Sequence, residues 1–196
     1  NVLHARGETK GALEAYEVAV RANPRDTITH NNMGIVLQTL GHVSRAVDAY
    51  GVALKVDPTY AIAHYNLGVA LQSQQRLDEA INSYETAVKH RPHYADAYNN
   101  MGYALQSKGD YQAAIKAYEE AVRLRPDFAS ARANLRHAKR KLEGGGAKSV
   151  VIEVSEDNGA AAPAPAAPAR PVKPPLPKQK SLFNSMFGSS GSGGSS

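Results

Sequence analysis

No cysteine occurs among the 196 residues, which excludes a disulfide framework and every thiolate metal site. That absence fits a reducing compartment, and a cytoplasmic location is the expectation. Long hydrophobic runs are missing too. No stretch approaches the roughly 18–20 apolar residues of a membrane span, and no signal-peptide pattern opens the chain. The first residue is Asn rather than Met, which points to a processed product or a fragment whose targeting segment lies elsewhere. A strong excess of either charge is also lacking. The formal net charge is +5, and residues 144–196 hold five Lys or Arg against three Asp or Glu. Neither part is basic enough to read as a nucleic-acid surface, so no nucleic-acid partner is expected.

What is present is a repeat. A shift of 34 residues lays the chain on itself: Gly34, Gly68 and Gly102 align, as do Leu37, Leu71 and Leu105. Ala46, Ala80 and Ala114 follow, then Tyr50, Tyr84 and Tyr118, then Ala53, Ala87 and Ala121, with Pro58, Pro92 and Pro126 closing each unit. One step back recovers Leu3, Ala12, Tyr16, Ala19 and Pro24. A fixed period of this size is the signature of a stacked array.

Each unit reads as two helices. Tyr65, Leu67, Gly68 and Leu71 recur at helical spacing in 61–74, and Leu77, Ala80, Ile81, Tyr84, Ala87 and Val88 form an apolar stripe in 77–90. Pro92 forbids continuation, because it has no N–H and clashes with the preceding turn. Gly68 and Ala80 let the paired helices approach, and Tyr84 is expected to fill the space between one unit and the next. Asp110 and Asp78 suit positions near helix N-termini.

These residues resemble the tetratricopeptide pattern: a large residue, Leu-Gly, then Tyr or Leu, followed by Ala, Phe or Tyr, Ala and Pro at set offsets. The resemblance covers about residues 1–142 and implies an all-α solenoid of helix-turn-helix repeats. Complete units occupy 27–60, 61–94 and 95–128, after a partial unit at 1–26 that keeps only its second helix. Residues 129–143 start like another unit, but Arg136 stands where Gly is expected and the segment turns polar. This reads as the capping helix a stacked array needs to end in water. Gly144-Gly145-Gly146 is expected to end it.

The first helix of each pair should line the concave face of such a superhelix. That places Asn32, Asn66 and Asn100 in a column, flanked by Asn31, Tyr65 and Asn99, by Ile35, Val69 and Tyr103, and by Gln38, Gln72 and Gln106. A carboxamide offers a donor and an acceptor, so one can pair with both groups of a peptide unit. The array is similar to the superhelical repeat region of the O-GlcNAc transferases, whose Asn ladder holds extended polypeptide by its backbone. The alternative is that these amides serve solubility or local hydrogen bonding. On the ladder reading, replacing Asn32, Asn66 and Asn100 with Ala abolishes partner capture without unfolding the array. The family's two-carboxylate clamp for Hsp70/Hsp90 C-terminal tails is not expected. Its Lys positions carry Asn31 and Asp96, its Arg position carries Asn100, and its second Asn is Ile35. A terminal carboxylate then lacks charge-assisted partners.

Beyond the array, residues 144–180 read as a disordered Ala/Pro-rich basic linker. Within it, Val150-Val151-Ile152-Glu153-Val154 before Ser155, Glu156 and Asp157 resembles a SUMO-interacting motif; otherwise it is a linker or a segment that folds back on the array. Two PxxP spacings, Pro171–Pro174 and Pro174–Pro177, lack a basic residue in the usual register, so a semi-rigid spacer is the default. Residues 181–188 carry two of the three Phe. Leu182, Phe183, Met186 and Phe187 can form one apolar helix face, a tail docking motif for a partner or for another copy. Residues 189–196 read as a Gly/Ser tail or appended linker.

No catalytic constellation emerges. The seven His are scattered, His90 and His93 lack carboxylate support, and each repeat Gly lies inside a helix rather than in a phosphate-cradling loop. No cofactor or metal is expected. The sequence therefore points to a non-catalytic protein–protein interaction scaffold or adaptor that takes a protein or an extended peptide in its groove. Two other readings stay open: a regulatory repeat region of a larger enzyme such as a glycosyltransferase, and an assembly subunit that self-associates.

Overall fold

The computed structural model describes residues 2–145, with side-chain environments from Thr9 to Gly144. These residues form eight α-helices: α1 (Val2–Ala22), α2 (Thr27–Thr39), α3 (Val43–Val56), α4 (Ala61–Ser73), α5 (Leu77–His90), α6 (Ala95–Ser107), α7 (Tyr111–Leu124) and α8 (Ala129–Gly145). No strand occurs among the described residues. Each helix packs most closely on its pair partner, α2 on α3, α4 on α5 and α6 on α7, and then on the next pair. The first helices of successive units, α2, α4, α6 and α8, also touch in order. The architecture is the α-solenoid expected from the repeat.

Local chemistry sets the helix ends. Asp26 caps α2 by accepting from the Ile28 amide at 3.1 Å, and Asp110 caps α7 by accepting from the Ala113 amide at 3.0 Å. The turn inside each pair is a Schellman motif: the amides of His42, Arg76 and Asp110 reach back to the carbonyls of Leu37, Leu71 and Leu105 at 2.8–3.0 Å. That turn requires one left-handed residue. Two units supply Gly41 (φ 84°) and Gly109 (φ 85°), but the middle unit places Gln75 there at φ 61°. A side chain in this region costs roughly 1–2 kcal/mol. Gln75→Gly is therefore expected to stabilise the array by about 1 kcal/mol, read as a raised thermal midpoint. An unchanged midpoint would mean that the Gln75 side chain makes contacts equal to its strain.

The core of each unit is a tyrosine lying on a glycine. Tyr50, Tyr84 and Tyr118 are fully buried, and a Cβ built on Gly34, Gly68 or Gly102 would stand 2.5, 2.6 or 2.8 Å from the facing ring. Only a residue without a side chain lets the two helices close over the ring. The expectation that Tyr84 works between units holds for its hydroxyl, which meets Asn100 of the next unit, while its ring seats on Gly68 of its own. The apolar cluster around it does extend to Ala97 and Ala104 of the next.

Two of the turns between units are pinned by a histidine. The Nε2–H groups of His30 and His64 donate to the carbonyls of Pro24 and Pro58, both at 2.9 Å, because a proline carbonyl can only accept. Burial lowers the His64 pKa, with this hydrogen bond opposing it. At the far end α8 runs to Gly145, the last described residue, within the glycine run expected to end it.

Candidate functional site

The asparagines anticipated in the groove form a ladder, but it runs inside the protein. The Asn66 amide donates to Asn31 Oδ1 at 2.9 Å, Asn100 donates to the Tyr65 hydroxyl at 3.2 Å, and Asn134 donates to Asn99 Oδ1 at 3.1 Å. Within a unit, Asn31 donates to Asn32 at 3.3 Å and Asn99 to Asn100 at 3.2 Å. The rule is uniform: the sixth residue of one unit reaches the fifth residue of the unit before it.

Asn32, Asn66 and Asn100 expose none of their surface, and Asn31, Asn99 and Tyr65 expose at most 1%. The expectation that these six side chains are open to a groove ligand is thus corrected. Helix packing supplies the reason. Each first helix is closed on one side by its own partner and on the next by the preceding first helix. A buried amide between them must bond across that seam or bear a desolvation cost of about 1–3 kcal/mol.

One turn further along, the same helices present a second column. Gln38, Gln72 and Gln106 accept through Oε1 from the hydroxyls of Tyr50, Tyr84 and Tyr118 at 3.1, 3.0 and 3.5 Å. These are the tyrosines that seat on the repeat glycines. Burial pushes their hydroxyls well above the ordinary phenol range, so they remain protonated donors. The tyrosine fixes each amide's orientation and commits its oxygen; Gln72 is buried at the cleft wall, and Gln38 and Gln106 are half-buried. This coupling of core to groove was missed in sequence reading. Its signal is present nonetheless, because every Gln–Tyr pair is separated by the same 12 positions.

Beside this column lies a cleft of about 230 Å³ between the second and third units. Val69 and Leu77 give it an apolar component, Gln72, Ser73 and Ser107 a polar one, and Tyr103 stands at its side with Gln75. Of the anticipated groove residues, Val69, Gln72 and Tyr103 line this cleft, and Gln106 is half-buried one turn from Tyr103. The strained left-handed Gln75 sits on the same cleft. At the clamp positions, Asp96 is ion-paired to Arg125 at 2.7 Å. Leu182, Phe183, Met186 and Phe187, and the segments of the Ala/Pro-rich linker, lie outside the described residues.

Helix pairs stacked in register, a glycine–tyrosine seat in every unit and a polar groove along the first helices define an α-solenoid interaction scaffold. Residues 59–127 match the tetratricopeptide repeat family and residues 40–75 match a TPR repeat profile. Residues 40–127 thus carry tetratricopeptide repeats, a fold that is generally a non-catalytic interaction scaffold. No curated protein sequence matches it significantly. Among solved structures, MamA is 29% identical with a TM-score of 0.67, over 73% of this chain and 82% of that one. The Sgt2 TPR domain from Aspergillus fumigatus is 25% identical with a TM-score of 0.60, over 68% and 91%. The first TPR of Spaghetti (RPAP3), bound to an HSP90 peptide, shares the fold at 23% identity and a TM-score of 0.59, over 60% and 93%.

Proposed function

We propose that this protein is a non-catalytic adaptor that holds an extended protein segment along α2, α4 and α6. The observation that carries this reading is the glutamine column, one oriented amide per unit at Gln38, Gln72 and Gln106. Neighbouring packed helices lie about 8–10 Å apart, and an extended chain advances about 3.3 Å per residue, so successive glutamines meet roughly every third residue. Nε2 donors at that interval suit backbone carbonyls, which every sequence carries. Side-chain preference comes from the cleft, where Val69, Leu77 and Tyr103 favour a small apolar or aromatic residue. The ladder suggested by the O-GlcNAc transferase likeness is thereby moved from the asparagines to the glutamines. A chaperone tail of the kind bound by Spaghetti is not the ligand proposed, since Asn31, Asp96 and Asn100 supply no cation.

The test is to select dodecameric peptides on the full chain by display, then measure one selected peptide by fluorescence anisotropy. Q38A/Q72A/Q106A is expected to weaken it by at least ~10-fold, each lost amide contact contributing about 1 kcal/mol. Tyr103→Ala should weaken aromatic-bearing peptides most. Equal affinity in the triple glutamine variant would overturn the reading.

A further inference from the structure

The groove changes chemistry at its α8 end. At one register the residues run Gln38, Gln72, Gln106 and then Arg140; at the next they run Thr39, Ser73, Ser107 and then Lys141. The cleft there repeats the one between the second and third units, shifted by one period: Leu77 becomes Tyr111, Tyr103 becomes His137 and Ser107 becomes Lys141. It is also larger, about 690 Å³, and is lined by Tyr111, His137, Arg140, Lys141 and Gly144. A neutral amide and hydroxyl surface has become a cationic pocket. Neither Arg140 nor Lys141 is ion-paired among the described residues, whereas Lys139, on another face of α8, holds Glu119 at 2.9 Å.

We propose that this cationic pocket is the docking site of the chain's own acidic segment, through Glu153, Glu156 and Asp157. Three observations converge on that occupant. These are the only acidic residues after Glu143, and the pocket offers three basic side chains. The segment is attached to the helix that builds the pocket, and Gly144 lines the cleft in the last turn of that helix. From Gly145 to Glu153 the chain can span up to about 27 Å when extended, enough to return along the last turns of α8. Tethering at that length gives an effective concentration on the order of millimolar, so weak ion pairs suffice for occupancy. The proposal does not depend on what the groove binds.

The chain has no cysteine, so Ser155→Cys gives a single site for a nitroxide label on the full protein. Paramagnetic broadening of the Tyr111, His137 and Lys141 amide signals then reports proximity. Tethering alone produces some broadening, so the comparison is with E153Q/E156Q/D157N in the same labelled chain. We expect the neutralised tail to lose broadening at these residues by about twofold or more. R140E/K141E, two exposed positions, should lose it equally while circular dichroism shows the helices intact. Combining R140E/K141E with E153K/E156K/D157K should restore it, and high salt (~0.5 M) should abolish it in the native chain. Equal broadening in the native and neutralised tails would overturn the proposal. So would broadening that vanishes on dilution with unlabelled protein, because the occupant is then another copy.

Discussion

Gly68→Ala is expected to destabilise the array by about 1–3 kcal/mol, the cost of overpacking a filled core. Helix propensity alone predicts the opposite sign, because Ala is favoured over Gly by about 1 kcal/mol in a helix interior. The ring of Tyr84 decides the matter. A Cβ at position 68 would stand 2.6 Å from it, and that ring is fully buried with its hydroxyl bonded to Gln72 at 3.0 Å. It cannot swing aside without losing the bond and the seat. Tyr84→Ala, by contrast, leaves a cavity and should cost about 3–5 kcal/mol. The decisive variant is the pair. In a Tyr84→Leu background the added methyl meets a smaller, branched side chain, so Gly68→Ala should become neutral or mildly favourable. A double-mutant cycle by urea denaturation should therefore give a coupling of about 1 kcal/mol or more. Solenoids unfold by units, so hydrogen exchange in α4 and α5 should report the loss locally before α7 and α8 respond. Strict additivity of the two changes would show that the glycine is not there for the ring.

The same glycine explains why the fold was legible in sequence. Gly, Tyr, Ala and Pro recur because a close helix crossing, its filler and its stop each admit few residue types. The site was less legible, for a geometric reason. Helical periodicity tells which direction a residue faces but not how far a neighbouring helix has closed over it. Asn66 and Gln72 lie on the same helix, yet Asn66 is sealed by α2 whereas Gln72 lines the cleft. The left-handed turn shows another limit. Gln75 is no turn former, and only its register with Gly41 and Gly109 betrays the conformation.

Asn66→Ala combined with Asn100→Ala is expected to lower stability by about 2–6 kcal/mol, the penalty of orphaning buried polar partners at two unit interfaces. The first change strips Asn31 Oδ1 of its cross-unit donor. The second removes the donor to the Tyr65 hydroxyl and the acceptor of the Asn99 amide. These partners expose at most 1% of their surface, so water cannot substitute without opening the seam. Such a variant should lose binding only as far as it loses the folded array. Ser73→Ala is the control, an exposed cleft residue whose change should stay within about 0.5 kcal/mol. Thermal melts and anisotropy on the same samples separate the two columns: asparagine changes move the midpoint, glutamine changes move the affinity. If Asn66→Ala/Asn100→Ala keeps the native midpoint and loses the peptide, the asparagines are the contacts and the glutamine groove is wrong. The expected order is the reverse, because a side chain sealed between helices acts on a ligand only through the shape of the surface it supports.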